Sequence, residues 1–428
     1  MTAPALSMPE IFETLTLRGG FNTNAVIMGT TLLGVAAGVI GAFSLLRKRS
    51  LTADALAHAT LPGIAGAFLI ATAMGYAGRS MPLLMLGAAV TGIVGVAGIH
   101  LLLRYSRLKE DAAIGIVLSV FFGVGVVLLS YVQQSTTGSG AGLNHYIYGQ
   151  TAAMIRGDAY LMGAIGVLAS ITALVLLKEF TLVCFNESFA RTIGLPVWLI
   201  DSMMLGLVVV ITVTGLQAVG LILIVAMLII PPAAARFWTD RLWRLVMISA
   251  GVGGLSGYAG AAISALLPGK PAGSVIVLVA GAVFAVSMLL APRRGVLAGA
   301  VRLARLRVRI AIDHVLEALY EIEKGLSDDP PPTGRPLLIR LMRLRGWITG
   351  APGAPALTDA GRAQGARVHR NHRLWEQYLI SYADIAPTHV DWSVDQVEHV
   401  LSDELIEHLE QALRKRGLAV PAANGGAK

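Results

Sequence analysis

Asp54 and His58 stand four residues apart in Leu51-Thr-Ala-Asp-Ala-Leu-Ala-His-Ala-Thr-Leu-Pro-Gly-Ile-Ala-Gly66, at the mouth of a long apolar run. No other acid occurs between Phe21 and Leu103. On a helix this spacing puts both side chains on one face, a turn apart. A carboxylate at the centre of a bilayer costs about 2.5–3.5 kcal/mol or more, so an isolated one tends to sit where polar chemistry happens. Carboxylate plus imidazole is a donor pair suited to the path of a divalent metal. The same residues also fit a plainer role, with Asp54 as an N-cap-like residue and His58 as a buried, hydrogen-bonding histidine. Spacing alone leaves both readings open.

The elements that must hold this pair are membrane spans. The chain is 55% hydrophobic and 14% charged, with mean hydropathy +0.68, but these values average two unlike parts. Up to about residue 295 the charges fall between windows of about 20 apolar residues, the length that crosses a hydrocarbon core. From about 300 onward the sequence is charged and soluble in character. The windows predict nine helices, at 24–46, 54–76, 82–103, 112–133, 158–178, 197–214, 217–237, 243–267 and 272–291.

Loop charges orient them. Arg47, Lys48, Arg49, Arg104, Arg107, Lys109, Lys178, Arg191, Arg236, Arg241 and Arg244 fall on one side, against Arg18, Arg79, Arg156 and Lys270 on the other. The richer side is expected in the cytoplasm, which puts the N-terminus outside and the tail, entered through Pro292-Arg-Arg294, inside. The net charge of +8 is then a matter of topology more than of nucleic acid. The opening residues lack a basic n-region, so no cleaved signal peptide is expected. The single cysteine, Cys184, excludes an intramolecular disulfide.

Several dispersed motifs resemble, in order, the permease subunits of bacterial ABC importers for zinc, manganese and iron. They are Asp54-Ala-x-x-His58-x-x-x-Pro62-Gly63, Lys109-Glu-Asp-Ala-Ala-Ile-Gly115, Tyr146-Ile-Tyr-Gly149, Val219-Gly-Leu-Ile-Leu-Ile-Val-Ala-Met-Leu-Ile-Ile-Pro231, Pro268-Gly-Lys-Pro-Ala-Gly273 and Pro292-Arg-Arg-Gly295. The resemblance covers about residues 22–295. It implies that Asp54 and His58 line the translocation path and take the ion from an extracytoplasmic binding protein, with Pro62-Gly63 breaking the helix beside them. Asp201 fits a helix cap first and the path second, His100 reads as interfacial, and His145 reads first as solvent-facing and second as a contact for an arriving ion or docked protein.

No Gly-x-x-x-x-Gly-Lys-Ser/Thr phosphate loop occurs, so ATP must be hydrolysed by a separate subunit. The loop Asn186-Glu-Ser-Phe-Ala-Arg-Thr-Ile-Gly194 resembles, through Glu187, Ala190 and Gly194, the segment by which such permeases engage their ATPase. The resemblance implies a short helix ended by Gly194, a pair of ATP-binding subunits, and a second permease copy or sister permease to complete the pathway in the inner membrane.

The tail opens with the basic stretch Val301-Arg-Leu-Ala-Arg-Leu-Arg-Val-Arg-Ile-Ala311 and continues as an amphipathic helix over Asp313–Gly325. Leu319-Tyr-Glu-Ile-Glu323, Leu357-Thr-Asp-Ala-Gly361, Asn371-His-Arg-Leu-Trp-Glu376 and Val397-Glu-His-Val-Leu-Ser-Asp-Glu404 resemble the metal-sensing repressors of the diphtheria-toxin-repressor and manganese-regulator family, over about residues 312–412. By that resemblance His372, Glu376, Asp391, Asp395, Glu398 and His399 are regulatory metal ligands, with Asp391 where many relatives have histidine. Oxygen and imidazole donors without thiolate suit manganese or ferrous iron, with zinc as a further fit. A dimerisation domain with solvated salt bridges is the plainer alternative. His369, His389 and His408 read as surface histidines.

Only about twenty residues, including Pro330-Pro-Pro332, stand where the repressors carry a full helix-turn-helix. Arg340, Arg343 and Arg345 keep a capacity for phosphate contact, but the shortening argues against nucleic acid as a partner. The expected organisation is all-α: a transmembrane bundle over 1–295, a basic linker over 296–311, a small cytoplasmic domain over 312–415 built from a degenerate winged helix and a helical metal-sensing region, and a flexible tail over 416–428. The expected function is metal import, manganese first and iron or zinc next, with a regulatory tail. A siderophore or cobalamin importer and a membrane-anchored transcription regulator are the alternatives. No Ser/His, paired-Asp or His-Glu-x-x-His arrangement at catalytic spacing points to an enzyme.

Overall fold

In a computed structural model, residues 12–14, 16–18, 20–47, 50–75, 81–134, 156–267, 270–328, 330, 336–351, 353–382, 403–415 and 420 are described. The chain divides into two compact units, Met1–Ala298 and Gly299–Lys428.

The first unit is built of helices joined by short turns: α1 (Phe21–Leu46), α2 (Ser50–Ala59), α3 (Leu61–Ala73), α4 (Met81–Tyr105), α5 (Glu110–Gln134), α6 (Arg156–Val175), α7 (Leu177–Phe185), α8 (Glu187–Thr192), α9 (Val197–Val219), α10 (Leu221–Trp238), α11 (Leu242–Leu266) and α12 (Ala272–Leu290). Among the described residues eight stretches are long and apolar enough to cross a membrane, α2 and α3 counting as one, Thr52–Ala73. The helices α6 and α7 pass the same test only together, as a bent pair. The fifth expected span therefore bends by 64° at Leu176, near the end of its apolar window.

Burial ranks the spans. Of the apolar window of α1, 78% is buried, against 17% for α12, so α1 is the centre of the bundle and α12 its rim. Lipid offers little drive for two apolar helices to associate, so close packing of small residues must supply it. A Cβ on Gly34 would lie 2.3 Å from the Gly253 carbonyl oxygen, and one on Gly253 would lie 2.1 Å from that of Gly34. The α1–α11 crossing is also tied by Ser249 Oγ donating to the Gly38 carbonyl at 2.6 Å and Thr30 Oγ1 to that of Gly257 at 3.2 Å.

The second unit holds most of α13 (Val296–Glu323), then α14 (Pro336–Leu344), a hairpin of β1 (Ile348–Thr349) and β2 (Ala356–Leu357), α15 (Asp359–Tyr382) and α16 (Asp403–Lys415). The strands are antiparallel, Ile348 opposite Leu357. Residues 296–311, expected as a linker, are the first turns of α13. Among the described residues α14 is the one helix between α13 and the hairpin, where the repressors' motif calls for more. Ile312, Leu316, Leu319 and Tyr320 pack on Leu338, Ile339 and Met342 beneath the hairpin. A smaller core joins α15 and α16 through Leu374, Ile406 and Leu413.

Candidate functional site

Asp54 and His58 both lie on α2 and face each other, His58 Nε2 standing 3.5 Å from Asp54 Oδ1. Their side chains are 38% and 21% exposed, neither sealed in the bundle nor fully solvated. Phe122 on α5 packs against the imidazole in a T-shaped arrangement at a ring separation of 4.9 Å. Nδ1 of His58 is buried and makes no hydrogen bond among the described residues. The helix break expected at Pro62-Gly63 falls at Thr60, which keeps helical angles (φ −78°, ψ −21°), so α2 and α3 remain one span. Pro62 sits in the first turn of α3, where a missing N–H is tolerated. That absence leaves the His58 carbonyl without its usual helical donor.

Glycines set the position of this break. A Cβ at Gly63 would come 2.0 Å from the Gly87 carbonyl oxygen on α4, and one at Gly125 on α5 would come 3.2 Å from Pro62 Cδ. Two neighbouring helices thus press directly on the turn that follows His58. The result is a carboxylate and an imidazole one helical turn apart, donors that suit a hard or borderline cation, with the freed carbonyl facing the turn that follows.

The loop after α7 forms the short helix the sequence predicts. Asn186 caps α8, its Oδ1 accepting from Phe189 N at 3.0 Å, and Gly194 closes it at φ +85°. Leu195 N donates to the Ala190 carbonyl at 3.0 Å, the wrap-back of a glycine-stopped helix. Ala190 is fully buried, while Phe189 and Ile193 are half exposed. Glu187 accepts from Arg47 at 3.1 Å and from Arg191 at 2.6 Å. Burial alone would raise the Glu187 carboxyl, but these two guanidiniums outweigh it and hold it below its ordinary value.

Asp201 is not the cap its position suggested. It lies a full turn inside α9, where backbone N–H groups already have partners, and it is 5% exposed. A carboxylate so placed needs a counter-ion, and Arg47 supplies one, Nη2 and Nε donating to Oδ1 at 2.7 and 3.1 Å. His100 joins it with Nε2 3.4 Å from Asp201 Oδ2. Arg47 further donates to the Val183 carbonyl at 3.2 Å, binding the ends of α1 and α7, the start of α8 and α9 into one polar knot.

In the tail, His372 and Glu376 share a face of α15 as expected. Glu376 accepts from Arg373 at 3.0 Å, and His372 Nδ1 lies 3.6 Å from Glu317 Oε1. Asp391, Asp395, Glu398 and His399, with His145 and His389, lie outside the described residues. His408 is exposed. His369, expected at the surface, instead has a mostly buried side chain against α13, near Glu317 and Glu321. The sequence did carry a signal for it, since Glu317/Glu321 and His369/His372 each share a helical face.

Residues 21–291 match the model of the ABC 3 transport family. The chain belongs to that family. This ABC 3 chain is a transport component, not an enzyme, and its family is one of multi-span membrane permeases. It is 46% identical over 300 residues to the manganese transport system membrane protein MntC of Bacillus subtilis, covering 70% of this chain and 68% of that one. It is 42% identical to the zinc transport system membrane protein TroC of Treponema pallidum, over 64% of this chain and 90% of that one. Among solved structures it resembles PsaBC from Streptococcus pneumoniae in complex with Fab, at 30% identity and TM-score 0.57, covering 67% of this chain and 98% of that one. Residues 358–416 match the iron dependent repressor, metal binding and dimerisation domain.

Proposed function

We propose that the chain is the permease subunit of an ATP-driven importer of divalent transition metal, with manganese as the first substrate and iron and zinc next. The observation that carries this reading is the Asp54–His58 pair, 3.5 Å apart in a glycine-pinned span beside a carbonyl freed by Pro62. Oxygen donors with one imidazole and no thiolate favour manganese or ferrous iron over softer ions. The MntC and TroC relatives are named for manganese and zinc.

An extracytoplasmic binding protein delivers the ion, Asp54 and His58 hold it in transit, and a second permease copy or a sister permease forms the other half of the path. The excess of arginine and lysine on one side puts the N-terminus outside and the tail in the cytoplasm. The α8 segment, with Glu187, Ala190 and Gly194, docks on a pair of ATP-binding subunits, and its exposed Phe189 and Ile193 offer the apolar contact such docking needs. Arg47 then carries the displacement of α8 into α1 and α9.

The tail, from about residue 312 to 415, senses cytoplasmic metal through His372, Glu376, Asp391, Asp395, Glu398 and His399 and restrains transport when loaded. Uptake of radioactive manganese, iron and zinc by importer-deficient cells carrying this chain with its ATPase and binding protein tests the transport reading.

A further inference from the structure

The turn Pro292-Arg-Arg-Gly295 joins the last span, α12, to α13. Gly295 N donates to the Ala291 carbonyl at 2.9 Å, and Arg294 pairs with Asp240 at 2.5 Å. The closed turn starts α13 beside the end of a membrane span. Over residues 296–311 the helix is basic and apolar. Arg302, Arg305 and Arg309, at i, i+3 and i+7, form one stripe, and apart from Arg307 the rest of the circumference is apolar residues and a glycine.

The apolar part of this surface is open. Leu297, Val301, Leu303 and Val308 are between 39% and 51% exposed, whereas Ile312, Leu316, Leu319 and Tyr320 further along the same helix are buried in the tail core. The charge is open too. No acid lies between Asp240 and Asp313, and Arg302, Arg305 and Arg307 have no ion pair among the described residues. Arg309 has only a distant one, Nε standing 4.0 Å from Asp313 Oδ2.

An exposed apolar surface of this extent marks a place of contact. A second copy of the segment would set arginines against arginines with no acid to offset them. A nucleic acid would satisfy the arginines but leave the leucines and valines without an apolar partner. An anionic bilayer surface satisfies both, taking the apolar side chains below its phosphates and the guanidiniums at their level. Arg307, on the apolar side, reaches the same level by extending its long stem.

We propose that residues 296–311 form an in-plane helix that binds anionic phospholipid through Arg302, Arg305 and Arg309 and buries its apolar side chains at the membrane surface. Held there, α13 fixes the membrane end of the helix whose later turns build the tail core. The proposal rests on the spans and on this helix, and is independent of which ion the chain moves.

The test uses the full chain in lipid nanodiscs, with Cys184→Ser and a nitroxide on Ala304→Cys, which lies opposite the arginine stripe. A nitroxide on Lys324→Cys, at an exposed position, is the solvent reference. Collisions with oxygen, which concentrates in hydrocarbon, and with a neutral nickel chelate, which stays in water, report the surroundings. In discs of phosphatidylcholine with phosphatidylglycerol, the label at 304 should meet oxygen freely and lose the nickel access seen at 324. Each arginine at an anionic surface strengthens attachment about fivefold, so Arg302→Gln/Arg305→Gln/Arg309→Gln should weaken it about a hundredfold and restore nickel access at 304. Discs of phosphatidylcholine alone should act in the same direction, and an unchanged spectrum at 324 shows that the tail core is intact. Nickel access at 304 equal to that at 324 in anionic discs would overturn the proposal. So would shielding from both reagents, which marks a protein cover such as a second copy, or immersion indifferent to lipid charge and to the arginines.

Discussion

Arg47, at the C-terminal end of α1, donates to Asp201 of α9 at 2.7 Å across 154 positions of sequence. Both side chains are largely buried, so each charge depends on the other. Removing one partner of a buried pair costs about 3–5 kcal/mol, because the survivor stays desolvated and alone. Arg47→Met should therefore lower the melting temperature strongly, while Arg47→Met/Asp201→Leu should recover most of the loss. Thermal unfolding of the three proteins in detergent checks this, and equal losses in single and double variants would contradict the pairing.

Glu187 gives the same knot a pH signature. Its carboxyl is held below its ordinary value of 4.5 by Arg191 and Arg47 against the opposing effect of burial. A depressed carboxyl contributes stability above its unfolded pKa and loses it as pH falls through the lower folded value. The melting gap between wild type and Glu187→Gln should stay constant from about pH 8 to pH 5 and narrow only below 4.5. A gap closing between about pH 6 and 7 would assign the effect to a histidine such as His100 instead.

Much of this was readable from sequence, and the failures share one cause. Apolar windows and loop charges mark the spans because lipid imposes a fixed length on them. Gly194 marks the end of α8 because a glycine stop is local chemistry. Asp201 and His369 were misread because their partners lie far away in the chain. Position within a helix suggested a cap for Asp201, but the deciding group is Arg47. His369 looked like a surface residue until α13 brought Glu317 and Glu321 against it. The pairing of Gly63 with Gly87 was equally hidden, since a glycine announces a close approach but not what approaches.

That close approach makes its own prediction. At Gly63→Ala the new methyl would meet the Gly87 backbone oxygen at 2.0 Å, so α3 and α4 must separate. Overpacking of this kind costs about 1–3 kcal/mol. Transport should fall further than stability does, because the displaced turn directly follows His58. Melting and uptake measured on the same preparation distinguish this from simple unfolding.

Tail regulation predicts a dependence on internal metal. Deletion of residues from about 312 onward should leave uptake in metal-starved cells unchanged and abolish its decline in metal-loaded cells. Identical uptake by full-length and truncated chains at every internal metal level would remove the regulatory role.

The central claim is that Asp54 and His58 hold the transported ion. The most direct measurement is uptake of radioactive manganese, iron and zinc in cells lacking their own importers, with wild type compared against Asp54→Ala/His58→Ala at matched assembly with the ATPase and binding protein. The account predicts metal-selective uptake by wild type, with manganese foremost, and its loss in the double variant. Wild-type rates in the double variant, or no uptake of any of the three metals by a fully assembled wild type, would contradict it.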